Sequence, residues 1–146
     1  MRTIAGVIAG LIVGSIAIAI IQQLNVVVFP WPEDFDPQDQ EKLKEAVENL
    51  SPGASLAKIF GICVGAAVAG GLATLVAKEN AMFAALSIGL FYTIGGCVYF
   101  FFILPYHQPW VTISSLACPL PMSFLGTLTT KMVQATRLAT EPQTNE

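Results

Sequence analysis

The uncharged stretches of this chain constrain its architecture more than any other feature. Residues 3–21 hold no Asp, Glu, Lys or Arg, and neither do residues 59–77, which Lys58 and Lys78 bracket. Charge is absent again from residue 80 to residue 130, where Tyr106-His107-Gln108-Pro109 divides the run into 81–104 and 110–130. A helix needs about 20 apolar residues to cross about 30 Å of hydrocarbon, and only a helix or a closed barrel pairs every backbone group there. The chain reads as an all-α integral membrane four-helix bundle, with spans at about 3–28, 56–77, 81–104 and 110–132. Charged residues make up 12% of it, half of the about 25% usual in soluble domains. The 146 residues make a single four-span membrane domain, with a disordered tail at 138–146.

Basic residues set the orientation. Arg2, Lys78, Lys131 and Arg137 fall on one side of the four spans, and Lys42, Lys44 and Lys58 on the other. The positive-inside tendency puts the first group, and both termini, in the cytoplasm. Phe29, Trp31, Tyr99, Tyr106 and Trp110 then gather at the opposite boundary, where aromatic rings favour the headgroup level. A rival reading makes Arg2, the first apolar run and Ala17-Ile18-Ala19 a cleaved signal peptide, leaving three spans. The run continues uncharged to Pro32, which suits a retained helix better.

The sizeable loop is 30–55, on the outer side. It carries seven carboxylates (Glu33, Asp34, Asp36, Asp39, Glu41, Glu45 and Glu48) against Lys42 and Lys44. Pro30-Trp31-Pro32 imposes an extended exit. Asp36 reads as an N-cap with Pro37 at the first helical position, and Leu43, Val47 and Leu50 recur on one helical face. A short amphipathic helix over 37–50 is expected, ended by Ser51-Pro52-Gly53. The acids do not follow the spacing of a loop-type calcium site, and a solvated acidic face accounts for them.

Helices in a bilayer associate mainly by close packing, so small residues mark their contacts. Gly6, Gly10 and Gly14 recur every fourth residue in the first span, Gly61, Gly65 and Ala69 do the same in the second, and Ala85 and Gly89 follow in the third. These faces pack the bundle or, alternatively, join copies of the chain. By axial rise, Gly14, Gly70-Gly71, Gly95-Gly96 and Pro119/Pro121 share a level near the bilayer midplane. A tightly crossed waist with one proline kink explains this. Broken helices around a transport site are the alternative. Ser15, Thr74, Thr93 and Ser123 supply hydroxyls at that level.

Few residues offer chemistry. His107, the single histidine, lies beside Trp110 in the turn between the third and fourth spans, with no acid or nucleophile at a recognisable spacing. Cys97 and Cys118 fall at similar depth, with Cys63 nearer the surface, and read as small buried hydrophobes rather than a thiol relay or soft-metal site. Gln22, Gln23 and Asn25 form the strongest polar cluster, at the outer end of the first helix. No ionisable residue interrupts a span, which argues against proton-coupled pumps and voltage sensors. The net charge of −3 and the scattered basic residues exclude a nucleic-acid surface.

Four segments carry a resemblance. They are the start 1–10 (Met-Arg-Thr-Ile-Ala-Gly-Val-Ile-Ala-Gly), Pro30-Trp31-Pro32 with Asp34 and Asp36, the small-residue run 65–73, and His107-Gln108-Pro109-Trp110. In these the chain resembles a family of small bacterial inner-membrane proteins with four predicted spans and no assigned activity. The first helix of that family often ends with an acidic residue and a histidine, where Gln22 and Asn25 stand here. The resemblance implies a bacterial inner membrane and supplies no activity. The expected function is a non-enzymatic accessory or scaffold protein of the bilayer, without cofactor or metal, with a homo-oligomer or another membrane protein as partner. The alternative is a small oligomeric transporter or pore.

Overall fold

The computed structural model describes residues 1–32, 35–36 and 38–140, and among these all regular structure is helical. Helix α1 (Arg2–Val28) runs to the loop, α2 (Gln40–Glu48) crosses that end, and α3 (Pro52–Ala77) returns. A 3-10 turn (Lys78–Asn80) leads into α4 (Ala81–Val98), which closes in a π-helical turn (Tyr99–Ile103). Helices α5 (Pro109–Ala117) and α6 (Pro119–Thr140) form the fourth rod. Four rods are long and apolar enough to cross a membrane: α1, α3, α4 with its π turn, and α5 with α6. We call the end under α2 the lid end and the end holding Met1, Lys78 and Thr140 the terminal end.

Helix α3 is the centre of the bundle, because its small residues accept neighbours on two sides. The buried residues of α1 are Gly6, Gly10 and Gly14. A Cβ on Gly10 would lie 2.6 Å from the Ala69 carbonyl, and one on Gly14 2.7 Å from that of Gly65. Ile4, Ile8, Ile12, Ile16 and Ile20, on another face of the same helix, are exposed. On a second side of α3, Gly70 abuts the Ser123 backbone and Gly126 of α6 abuts that of Ala67. Gly71 faces Thr130, and Gly61 faces Ile21 and Gln22.

Hydroxyls fill the polar needs of this waist. Thr74 and Thr127 lie 3.0 Å apart and reach the Gly70 carbonyl at 2.8 and 3.1 Å. The Ser123 hydroxyl is 3.0 Å from the Ala85 carbonyl and 2.9 Å from that of Leu120. Pro119 lacks the N–H that would continue α5, so the fourth rod breaks after Cys118. Thr93 reaches the Leu116 carbonyl beside that break at 3.4 Å.

Several boundaries differ from those expected. Helix α2 begins at Gln40 and is capped by Asp39, whose carboxylate accepts from the Glu41 and Lys42 amides. Asp36 instead accepts from the Gln38 amide in a local turn, and Pro37 lies outside the described residues. Ser51 does not end α2, which stops at Glu48. It caps α3, accepting from the Ala54 amide with Pro52 at the first position. Helix α3 therefore starts a turn earlier than the 56–77 span. Helix α6 continues through Thr140, so residues 138–140 of the expected tail are helical, and 141–146 lie outside the described residues.

Candidate functional site: a lidded chamber with a half-buried lysine

Near the terminal end α1, α3 and α4 meet. Tyr92 of α4 closes that contact: its hydroxyl donates to the Leu11 carbonyl at 3.1 Å and sits 3.4 Å from Ser15 Oγ. Towards the lid end no such contact joins α1 and α4 among the described residues, and a chamber of about 1080 Å³ opens there. Its floor is Ile18, Ile62 and Tyr92, and Gly95 and Gly96 form part of its α4 wall. A Cβ on Gly95 would meet nothing within 4 Å, because that face of α4 borders open space. The exposed Phe91, Val26 and Val28 also line it, which places an opening on the apolar flank of the bundle.

The lid explains itself from sequence upward. Leu43, Val47 and Leu50 turn to the chamber while Glu41 and Glu48 face out, and Val47 is 2% exposed. Trp31 stacks on Phe35 with ring centroids 4.5 Å apart, adding an aromatic wall where α1 exits. Gln108 donates to the Glu48 carbonyl at 3.2 Å and accepts from Trp110 Nε1 at 2.6 Å. Trp110 thus steadies the lid's anchor and does not line the chamber. Lys44 pairs with Glu48, at 3.9 Å on the exposed face, and stands 6.0 Å from the Tyr106 ring.

Lys58 gives the chamber its charge. It sits in the second turn of α3, in register with Gly61 and Gly65, so its side chain enters the bundle instead of marking the boundary. Its Nζ lies 4.9 Å from the Tyr99 ring centroid and 5.3 Å from that of Phe100. It donates to Tyr99 Oη at 3.5 Å and lies 2.5 Å from His107 Nε2. His107 Nδ1 is 3.1 Å from the Leu104 carbonyl. That carbonyl requires the proton on Nδ1, so Nε2 accepts from the lysine and the imidazole is neutral. Burial, then the Lys58 charge, hold the His107 pKa below its ordinary value, against the Leu104 hydrogen bond. The π turn supports this arrangement: Tyr99 accepts from the Leu104 amide at 2.8 Å, and Phe100 is buried within it.

Ammonium has three donors. Two go to neutral acceptors, and among the described residues no carboxylate pairs with Lys58. A half-buried charge with no counter-ion among the described residues is held here by two ring faces, a phenol oxygen and an imidazole, which leaves it suited to an anion. Two further polar atoms in the walls, Asn25 Oδ1 and Ser115 Oγ, are buried with no hydrogen-bond partner. Asn25 spends its N–H on the Ala54 carbonyl at 3.0 Å, and Gln22 donates to the Lys58 carbonyl at 3.3 Å. These two amides fasten α1 to α3 across the mouth.

Of the residues singled out by sequence, His107 and Gln22 line the chamber, and Gly6, Gly10, Gly14, Gly61, Gly65, Gly70 and Gly71 lie at helix contacts. Cys118 lies beside Cys63, and all three are free thiols. Among the described residues no three His, Cys, Asp or Glu side chains converge on one point. Sequence reasoning missed Lys58, Tyr99 and Ser115. For Lys58 a signal existed, since it extends the Gly61/Gly65 stripe by one turn. No family model matches the chain, and comparisons with curated proteins and with solved structures find no match.

Proposed function

We propose that the chain is a non-enzymatic protein of the bacterial inner membrane that holds an amphiphilic ligand in the lidded chamber. The observation carrying this reading is a cavity of about 1080 Å³ with aromatic and aliphatic walls, a side opening and a half-buried lysine. Its volume lies just above the range of about 300–1000 Å³ typical of small-molecule pockets. Most of its lining is apolar, as in such pockets. Both termini lie in the cytoplasm and the lid end faces outward, following the positive-inside tendency.

A blind floor favours holding over conduction. A pore would need a path past Tyr92, Ser15 and Leu11, and the glycine contacts below them are backbone to backbone. An accessory role, presenting or buffering a membrane amphiphile, fits a chamber closed at one end.

Filling the space is the test. Gly95→Phe projects a ring into the chamber without meeting protein atoms near its Cβ. Mass spectrometry of organic extracts from protein purified in mild detergent is expected to find an amphiphile with the wild type and much less with the variant. Equal amounts in both overturn the reading. Tags at the two termini are expected to report the same, cytoplasmic compartment.

A further inference from the structure

We infer that the chamber's polar subsite takes the phosphodiester of an anionic phospholipid whose headgroup carries a free hydroxyl. This rests on the amphiphile reading and names its chemistry. Three unmet valences define the ligand. The third N–H of Lys58 calls for an anion, since its other two donors already have neutral acceptors. Ser115 Oγ is buried in the wall, with its residue 3% exposed, and donates to no protein atom. Asn25 Oδ1 is an acceptor that lacks a donor.

A phosphodiester supplies non-bridging oxygens for Lys58 and Ser115, and a headgroup alcohol supplies the donor for Asn25. A fatty acid meets the first need, but its ionised carboxylate has no donor for the third. An ammonium headgroup would bring a second cation toward Lys58. Among the described residues of the lining, Lys42 and Glu45 bring opposite charges, and Lys58 is the cation within. Acyl chains leave through the apolar rim of Phe91, Val26 and Val28.

The probes are a phosphoglycerol lipid, a phosphoethanolamine lipid with identical chains, the matching free fatty acid, and inorganic phosphate. Each is titrated against the full-length protein in neutral detergent and read by native mass spectrometry. The phosphoglycerol lipid is expected to bind about tenfold tighter than the phosphoethanolamine lipid, because the ammonium headgroup is repelled by Lys58. Lys58→Gln is expected to erase that preference while leaving weak binding of both lipids, and Lys58→Arg to keep it. Ser115→Ala removes an oxygen that bonds to nothing in the protein, so it should lower phosphoglycerol affinity about threefold or more with unchanged thermal stability. Equal binding of the two phospholipids overturns the inference, as does equal binding of the fatty acid, or a Ser115→Ala variant that binds like wild type. Inorganic phosphate that displaces the lipid as well as a second lipid does assigns the site to a free anion and overturns it too. In each of these cases a Gly95→Phe variant that still sheds amphiphile leaves the broader reading standing.

Discussion

An added Cβ at Gly70 would run into the backbone of Ser123, whereas one at Gly95 would meet nothing within 4 Å. Both glycines lie inside long apolar helices, at the same expected depth. At Gly70 the missing side chain lets two helices touch, and Thr74 and Thr127 cover the exposed carbonyl. At Gly95 it enlarges a space that the neighbouring helices leave open. The same contrast separates the hydroxyls. Ser123 finds two carbonyls, and Ser115, on the same rod eight residues earlier in the sequence, finds no partner. Toward the terminal end the chain satisfies itself, and toward the lid end it leaves needs that a second molecule can meet.

Substituting both glycines by leucine tests this contrast at its widest. Gly70→Leu is expected to destabilise the protein by about 3 kcal/mol or more, because the helices must separate along their whole contact. Gly95→Leu is expected to keep wild-type stability or gain up to about 1 kcal/mol, since glycine itself is the poorer helix former by about that amount. Thermal unfolding in one detergent measures both. If the two variants unfold alike, the halves do not differ as described.

The serines give the next largest difference. Ser123→Ala should lose about 1 kcal/mol, the net worth of a buried hydrogen bond, and Ser115→Ala should lose nothing. A loss at Ser115 equal to that at Ser123 would mean that its hydroxyl is satisfied within the fold.

The smallest effect is the pH dependence carried by His107. Its folded pKa lies below the ordinary value of about 6.5, first through burial and then through the Lys58 charge. Below that pH the unfolded imidazole binds a proton that the folded one refuses. The His107 contribution to stability should therefore be level above pH of about 6.5 and fall as the pH is lowered toward the folded pKa. His107→Gln, whose side-chain oxygen still accepts from Lys58, should remove that slope. A slope that persists in the variant places its origin elsewhere.

Glycine contacts and the four long apolar rods were legible in the sequence because both are periodic: one residue in four is small, and charge vanishes for about 20 residues at a time. The lid helix was legible from Leu43, Val47 and Leu50. Its cap was not, since Asp36 and Asp39 both carry the right side chain and only the fold shows that the amides of Glu41 and Lys42 turn toward Asp39. The chamber was the least legible part. Lysines near a span end are read as boundary markers, and that reading hid the rotation that carries Lys58 inward. Tyr99, His107 and Ser115 come from the π turn, the link after it and α5, and no spacing rule joins them. Cys63 and Cys118 were ranked by depth alone, and depth cannot say which faces meet.

Photo-crosslinking in the membrane tests the central claim most directly. Protein reconstituted with a phosphoglycerol lipid bearing a photoreactive group in its acyl chain would be irradiated, digested and mapped. Adducts are expected to concentrate on Ile18, Val26, Phe91 and their neighbours in the chamber, and to disappear from them in Gly95→Phe. Adducts spread evenly over that region and the exposed Ile4, Ile8 and Ile12 stripe, unchanged by the variant, would contradict the account.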